Sequence, residues 1–401
     1  MLMRWRATLL GILGLVLVAT APSAQPTVTV TMRLAEAEWQ VVRQLILPPF
    51  EAVCQCRVRA LDVPPETLLQ RLRAMQRAGR MEIDLFAQDN MRLQELVEAG
   101  LAAPFAPAEA EMDAAIYPTL MAVGSIQNVR YFVPFRPNVQ IAYYNADKFA
   151  QYGLQPPRTW PELLEVARIF YVKEGIGRVL LQGEGGAPTT TQLYEWIVAA
   201  GGEPFDFTHP GTLATFRFLA ALRPYLAPDS RRAKWNTTSD ALAQETAYLA
   251  QNWPVGVPLL VQEYGKTAIH TYSGWAGPAR EAHVIGGDVL GIPVEAPHRA
   301  LALALIRHLQ SQESQRILVG KLGWPSLRSD SAAAVEAWLR PHVAAIGEAL
   351  RHGVFRANVR YWAAYERIAD EAVQRILWRR EDPDRVLPPL AARLAALRDR
   401  Q

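Results

Sequence analysis

Two cysteines and seven histidines are all that 401 residues contain. A disulfide scaffold is thereby excluded, and Cys54-x-Cys56 alone supplies too few ligands for a structural metal. On one continuing strand the two thiols would share a face yet sit too far apart to bridge. Two separate thiols are the expectation, and a strained disulfide stays open if a turn falls at Cys54-Gln55. An excess of charge is missing too: the formal net charge is +3, and without Arg4 and Arg6 the 42 basic residues fall by two against 39 acidic ones. Such balance points away from nucleic acid or an anionic membrane as partner. Catalytic signatures are equally scarce. There is no Gly-x-Ser-x-Gly elbow, no His-Glu-x-x-His, no P-loop and no dinucleotide fingerprint, so no enzyme and no cofactor are expected.

Long apolar runs are missing except at residues 9–18. Arg4 and Arg6 precede that run and Ala19, Ala21, Ser23 and Ala24 follow it, the pattern of a cleavable signal peptide over residues 1–24. The run is short for a membrane span. No cysteine follows it, so no lipobox stands there, and a mature protein free in the periplasm is expected. Half of the residues are hydrophobic, which suits a globular chain with room for two domains.

What is present is clearest at residues 130–170, RYFVPFRPNVQIAYYNADKFAQYGLQPPRTWPELLEVARIF. Residues 139–144 are β-branched and aromatic between Pro137 and Asn145, which predicts a strand. A short helix then ends at Gly153. Thr159, Pro161 and Glu162 open the next helix as cap, first-turn proline and capping-box partner. Upstream, strands at residues 28–32 and 57–61 alternate with helices at 39–50 and 66–77, as in an α/β lobe with a parallel sheet. Further helices are expected at 160–170, 190–200, 213–222 and 239–251. Residues 265–287 look loop-rich, and from Ala332 onward the pattern is helical, with Pro388-Pro389 separating the last two helices.

The 130–170 string resembles the signature of family 1 extracellular solute-binding proteins, the substrate-capturing subunits of ABC importers: a Tyr-Tyr-Asn strand end, a helix ending in Gly-Leu, then Pro-x-Thr-Trp-x-Glu-Leu. Residues 50–60, 82–86, 96–105, 250–253, 286–288 and 311–325 also fall in the family's order. The resemblance implies an α/β, two-lobed periplasmic binding protein fold of type II, with three interlobe crossings and a helical C-terminal part. Residues 25–137 and 284–322 would form one lobe, residues 138–283 and 326–401 the other, with hinges near 137–140, 283–288 and 323–326. It further implies a small carbohydrate, a disaccharide or short oligosaccharide, caught between the lobes of a monomer and passed to a membrane permease, as in maltose- and trehalose-binding relatives. A phosphorylated polyol and a glycan-active enzyme on the same fold are the alternatives.

Sugars are held by aromatic faces and by planar polar groups that grip vicinal hydroxyls. On the resemblance, Glu36, Glu38 and Trp39 follow the first strand, although Glu38 would also suit a helix dipole. Asp89 follows the strand at 83–86 and would equally cap the next helix. Arg136 and Asn138 precede the first crossing, with an ion pair as the other role for Arg136. Gln192 faces the cleft beside Trp196. Asn252 and Trp253 end a second-lobe strand, and Tyr272 and Trp275 offer a stacking platform or mere loop packing. Gly287 and Asp288 edge the cleft, and Trp324 stacks on ligand or packs the third crossing. Arg356 stands where relatives carry Arg-Pro, but Ala357 follows it here.

Overall fold

The computed structural model describes residues 25–64, 66–331 and 335–398, so the expected signal peptide lies outside the described residues. The chain opens with β1 (Thr27–Thr31), β2 (Arg57–Ala60) and β3 (Leu85–Asp89), with β1 parallel to both of the others. In β1 the apolar Val28 and Val30 and the intervening Thr29 and Thr31 are all buried, because both faces of the sheet are covered. Helix Leu68–Arg77 supplies one cover, placing Leu68, Leu72 and Met75 inward at helical spacing. The run from Glu36 to Cys54 is helical throughout, with a π turn at Val42–Ile46.

That run ends where Gln55 takes a left-handed conformation with φ 51°. The turn folds Cys54 back to within 5.2 Å of Cys56 between Cα atoms, and the two form a disulfide. The expectation of separate thiols is therefore corrected. The helix continues to Cys54 itself, so the two residues never lie on one strand.

A small hairpin, β4 (Ser125–Ile126) and β5 (Val129–Arg130), leads into β6 (Phe132–Val139). A second sheet holds β7 (Ile141–Asn145), β8 (Val179–Leu180), β9 (Leu249–Asn252) and β10 (Ile269–Tyr272) in the order β10-β7-β9-β8. The chain then returns to the first sheet through β11 (His283–Gly291) and, much later, β12 (Gly353–Phe355). Strand β11 pairs with β6 along its length, with β12 at its start and with β3 at its end. The antiparallel β6/β11 ribbon is thus the main connection between the sheets, and only Gln140 separates β6 from β7. A bulge follows Asp288. Gly287, at φ 96°, sits so close to β6 that a Cβ there would meet the Arg136 carbonyl oxygen at 2.0 Å.

Each sheet carries its own core. Helices Arg299–Leu309 and Gln312–Leu322 pack Leu305, Ile306 and Leu318 with Val28 and Val30 of β1. Helices Trp362–Val373 and Pro383–Arg398 pack Tyr365, Val373 and Leu390 with Trp196 and Phe216 of the second lobe. Burying each such large side chain stabilises the fold by roughly 1.5–3 kcal/mol.

Four expected elements differ, the first being the helical stretch from Ala332 onward, which also holds the short strand β12 because its residues pair with the start of β11. Residues 239–251 are a helix only to Ala243, then strand β9, since Glu245 adopts φ 57° and breaks the turn. The loop-rich stretch 265–287 holds β10 and the start of β11, whose pairing overrides its glycine content. Pro388 and Pro389 lie inside one helix, and the break falls instead before it, near Arg380 at φ 60°. Burial of Val386, Leu387, Leu390 and Leu394 on one face holds that helix across the missing amide bonds.

Candidate functional site

A cavity of about 620 Å³ lies between the two sheets, within the range of roughly 300–1,000 Å³ usual for small-molecule sites. Its first-lobe wall is built on the β6/β11 ribbon. Arg136 and Asp288 are register partners across that ribbon, and the guanidinium donates to Asp288 Oδ2 from Nη2 at 2.6 Å and from Nε at 3.1 Å. Its Nη1 reaches Glu38 Oε1 at 3.3 Å, and Trp324 Nε1 donates to the same oxygen at 2.8 Å. The guanidinium also lies over the Trp324 ring, 5.1 Å from its centroid. Glu38 Oε2 in turn accepts from the Ala35 amide at 2.7 Å, so it closes the helix start as well. Burial pushes the Asp288 carboxyl up, against the pull of Arg136.

The second-lobe wall is aromatic. Trp253 follows β9 and lies against the ribbon, so close that a Cβ on Gly286 would meet its ring at 3.0 Å. Trp235, at the start of helix Trp235–Ala243, meets it edge to face with centroids 6.0 Å apart. The supports stand behind the rings. Asn252 Nδ2 donates to the Trp235 carbonyl at 2.9 Å and the Tyr143 hydroxyl donates to the Trp253 carbonyl at 2.7 Å. Val255, 73% exposed, extends this apolar surface at the rim.

Four arginines and four carboxylates line the cavity. Arg33 pairs with Glu66, Arg92 with Glu95, and Arg136 with Asp288 and Glu38. Asp89 and Arg356 are left. One oxygen of Asp89 accepts from the Met91 amide at 2.8 Å, so the capping role holds, yet the residue lines the cavity too. Arg356 donates to Thr191 Oγ1 at 2.9 Å, lies over Trp362, and has no carboxylate partner among the described residues. Burial lowers its pKa, with Asp89 and Glu366 pulling it back up. Opposite charges in balance, most of them already paired, leave a site suited to a neutral ligand rich in hydroxyls.

The model of the bacterial extracellular solute-binding protein family matches residues 46–345. The chain belongs to this family. A multiple sugar-binding protein of Streptococcus mutans is 27% identical over 199 residues, which cover 46% of this chain and 45% of that one, so the match spans about half the length of that relative. The sugar-binding protein MalE of Xanthomonas citri has the same fold at a TM-score of 0.78 and 19% identity, covering 93% of this chain and 98% of that one. A cyclic alpha-maltosyl-1,6-maltose binding protein of Arthrobacter globiformis aligns at 0.76 and 18%, covering 92% and 98%.

In this solute-binding protein the cavity gathers Glu38, Asp89, Arg136, Asn138, Trp253, Gly287, Asp288, Trp324 and Arg356 of the residues singled out from sequence. Glu36 and Trp39 line an adjoining chamber instead. Gln192 is buried, joining Gln182 N to Gln251 Oε1, and Asn252 stands behind Trp235. Tyr272 is buried under the Arg158 guanidinium, and Trp275 packs edge-on to Trp196. These four do not line the cavity: β9 and β10 turn Asn252 and Tyr272 away from it, helix Gly186–Ala199 holds Gln192 against Gln251, and Trp275 packs on Trp196 in the second-lobe core. Gly287 serves close approach of backbone to backbone. Trp235 was missed in sequence; its only signal was a tryptophan opening a helix that precedes β9.

Proposed function

We propose that the chain captures a small neutral carbohydrate, a disaccharide or short oligosaccharide, and delivers it to the membrane permease of an ABC importer, acting as a monomer in the periplasm. The observation that carries this reading is the pairing of an aromatic wall, Trp253 with Trp235, against a wall whose charges balance. Indole faces match the C–H side of a sugar ring, and Asp89 and Arg356 are free to take vicinal hydroxyls. The sugar-binding names of the relatives support it. Closing of the lobes on such a ligand would shift the population toward the form that a permease recognises.

A second reading draws on Arg356. Its unpaired guanidinium could take the single anionic group of a phosphorylated polyol. A two-arginine clamp is disfavoured, since Asp288 and Glu38 already hold Arg136. A thermal-shift screen against neutral sugars and phosphorylated polyols separates the two. Ligand at 100 times its dissociation constant stabilises the native state by about 2.7 kcal/mol. A shift with disaccharides supports the first reading; a shift with phosphorylated polyols alone replaces it with the second.

A further inference from the structure

Glu195 lies within helix Gly186–Ala199, 2% exposed and outside the lining of the cleft. A carboxylate so buried needs partners for both oxygens and for its charge. The oxygens find theirs on two different sheets. Oε2 accepts from the Val284 amide of β11 at 2.6 Å, and Oε1 accepts from Gln251 Nε2 of β9 at 2.5 Å. The orientation of the Gln251 amide is fixed, because its oxygen already accepts from Trp196 Nε1 at 2.9 Å and Gln192 Nε2 at 3.3 Å. Two accepting oxygens are the pattern of the ionised form. His283 meets that charge, with Nδ1 standing 3.8 Å from Glu195 Oε1. Its Nε2 faces Glu281 at 2.8 Å, and Glu281 in turn faces His352, which has Glu348 beyond it at 3.5 Å. No arginine or lysine pairs with Glu195 or Glu281 among the described residues.

The two holds sit beside the cleft contact. Two residues beyond Val284 is Gly286, and two residues beyond Gln251 is Trp253. Residues two apart along a strand share a face. At those positions the same two segments touch in the cleft, where a Cβ on Gly286 would meet the Trp253 ring at 3.0 Å. One carboxylate thus spans the gap between the sheets next to the place where ligand would bear on it.

We propose that Glu195 is a positioning residue for solute binding: its carboxylate ties β9 to β11 and so sets where Trp253 stands against the ribbon. It acts through Trp253 and touches no ligand. The inference holds for any solute that the cleft takes, so it does not depend on the carbohydrate reading. Burial lowers the His283 pKa, and Glu195 and Glu281 together raise it to about 9. Proton loss there leaves Glu195 without a counter-charge, so the tie weakens as pH rises through about 9.

The test has a ligand-free arm and a binding arm. In protein grown on 5-fluorotryptophan, the Trp253 fluorine resonance, assigned with Trp253→Phe, should shift as pH passes about 9. Glu195→Gln should abolish that titration. In calorimetry with maltose, trehalose, cellobiose and xylobiose, the same variant should weaken whichever sugar binds by about tenfold. Its amide must turn a donor toward either Gln251 or Val284, which are donors themselves. Adding Gln251→Glu reverses donor and acceptor across the contact and should restore affinity to within about threefold. Leu394→Ala, a core change on the C-terminal helix, should lower the thermal midpoint and leave affinity in place, which separates positioning from stability. A fluorine resonance that stays put in the folded wild-type protein overturns the proposal. So does an affinity that Glu195→Gln lowers no further than Leu394→Ala does. Absence of binding by all four sugars counts against the carbohydrate reading alone, and the fluorine titration then decides. The wild-type titration decides as well should Glu195→Gln fail to fold.

Discussion

The two walls of the cleft are held in place by different forces. On the first-lobe side Arg136, Glu38, Asp288 and Trp324 fix one another through charge-assisted hydrogen bonds, and each belongs to a different segment of chain. On the second-lobe side Trp235 and Trp253 are placed by their backbones, through Asn252 and Tyr143, and the two rings meet edge to face with no charged group holding them. A charged wall fails when one member is removed, because the rest are left as uncompensated buried charge. An aromatic wall loses only area. Substitutions on the first side should therefore register chiefly in stability, whereas those at Trp253, 7% exposed and part of the second-lobe core, should register in affinity as well as in stability.

The sharpest contrast comes from Arg136→Met. Asp288 and Glu38 are only 13% and 23% exposed at the side chain, so their loss of a cation should lower unfolding free energy by about 3 kcal/mol in urea titration. Adding Asp288→Asn should restore part of it. A loss below about 1 kcal/mol would mean that this wall is no more coupled than the protein surface.

Next in size is the junction between the two sheets, where β11 begins. His283 is wholly buried, facing Glu281 at 2.8 Å and Glu195 at 3.8 Å, and His352 lies 3.8 Å from Glu281. Burial pulls the imidazole pKa down, but the two carboxylates outweigh it and raise it to about 9. The hydrogen bond from His283 is the main cause that lowers Glu281 to about 2. A raised histidine pKa contributes stability that is complete below about 6.5 and lost as pH rises through about 9. A lowered carboxylate contributes stability present above about 4.5 and lost as pH falls toward 2. Denaturant midpoints should thus be highest between about pH 4.5 and 6.5 from this network. They should fall toward pH 9 at no more than about 1.4 kcal/mol per pH unit. His283→Gln should flatten the alkaline side; an unchanged slope there would remove His283 as its source.

Trp253→Ala tests the other wall. Affinity for a bound sugar should weaken by about 1–3 kcal/mol in calorimetry, from lost stacking and burial. Unchanged affinity with an intact fold would take Trp253 out of the site. The smallest effect belongs to Arg33→Ala. This arginine lines the same cavity as Arg136 but is 71% exposed, so stability should move by less than about 0.5 kcal/mol. A larger change would erase the distinction between the buried pair and the exposed one.

Much of the architecture was legible because it rests on local chemistry. Thr159 does cap helix Trp160–Glu174, accepting from the Glu162 amide, and Asn145 caps the helix before it. Periodic apolar residues placed helix Leu68–Arg77 to within two residues. The candidate site was legible where a residue sits at the carboxyl end of a strand, as Asp89 and Trp253 do. It was misread where facing depends on strand pleat. Tyr272 ends β10 like a ligand residue, yet its register opposite Ala142 turns the ring under Arg158. Gln192 and Trp275 were likewise drawn into the second-lobe core by contacts with Gln251 and Trp196.

By itself, then, the sequence determined the capped and periodic helices, the alternation of strand and helix in the first lobe and the family, since propensity, capping and periodicity act over a few residues and need no partner from afar. Tertiary structure alone decided which charges are spent. Arg136 and Arg356 are indistinguishable as letters. Only the register of β6 on β11 brings Asp288 beside the one, and only the packing of the second lobe leaves the other without a carboxylate. Coulomb energy and desolvation depend on separations of a few ångströms between residues more than a hundred positions apart, and chain folding sets those distances.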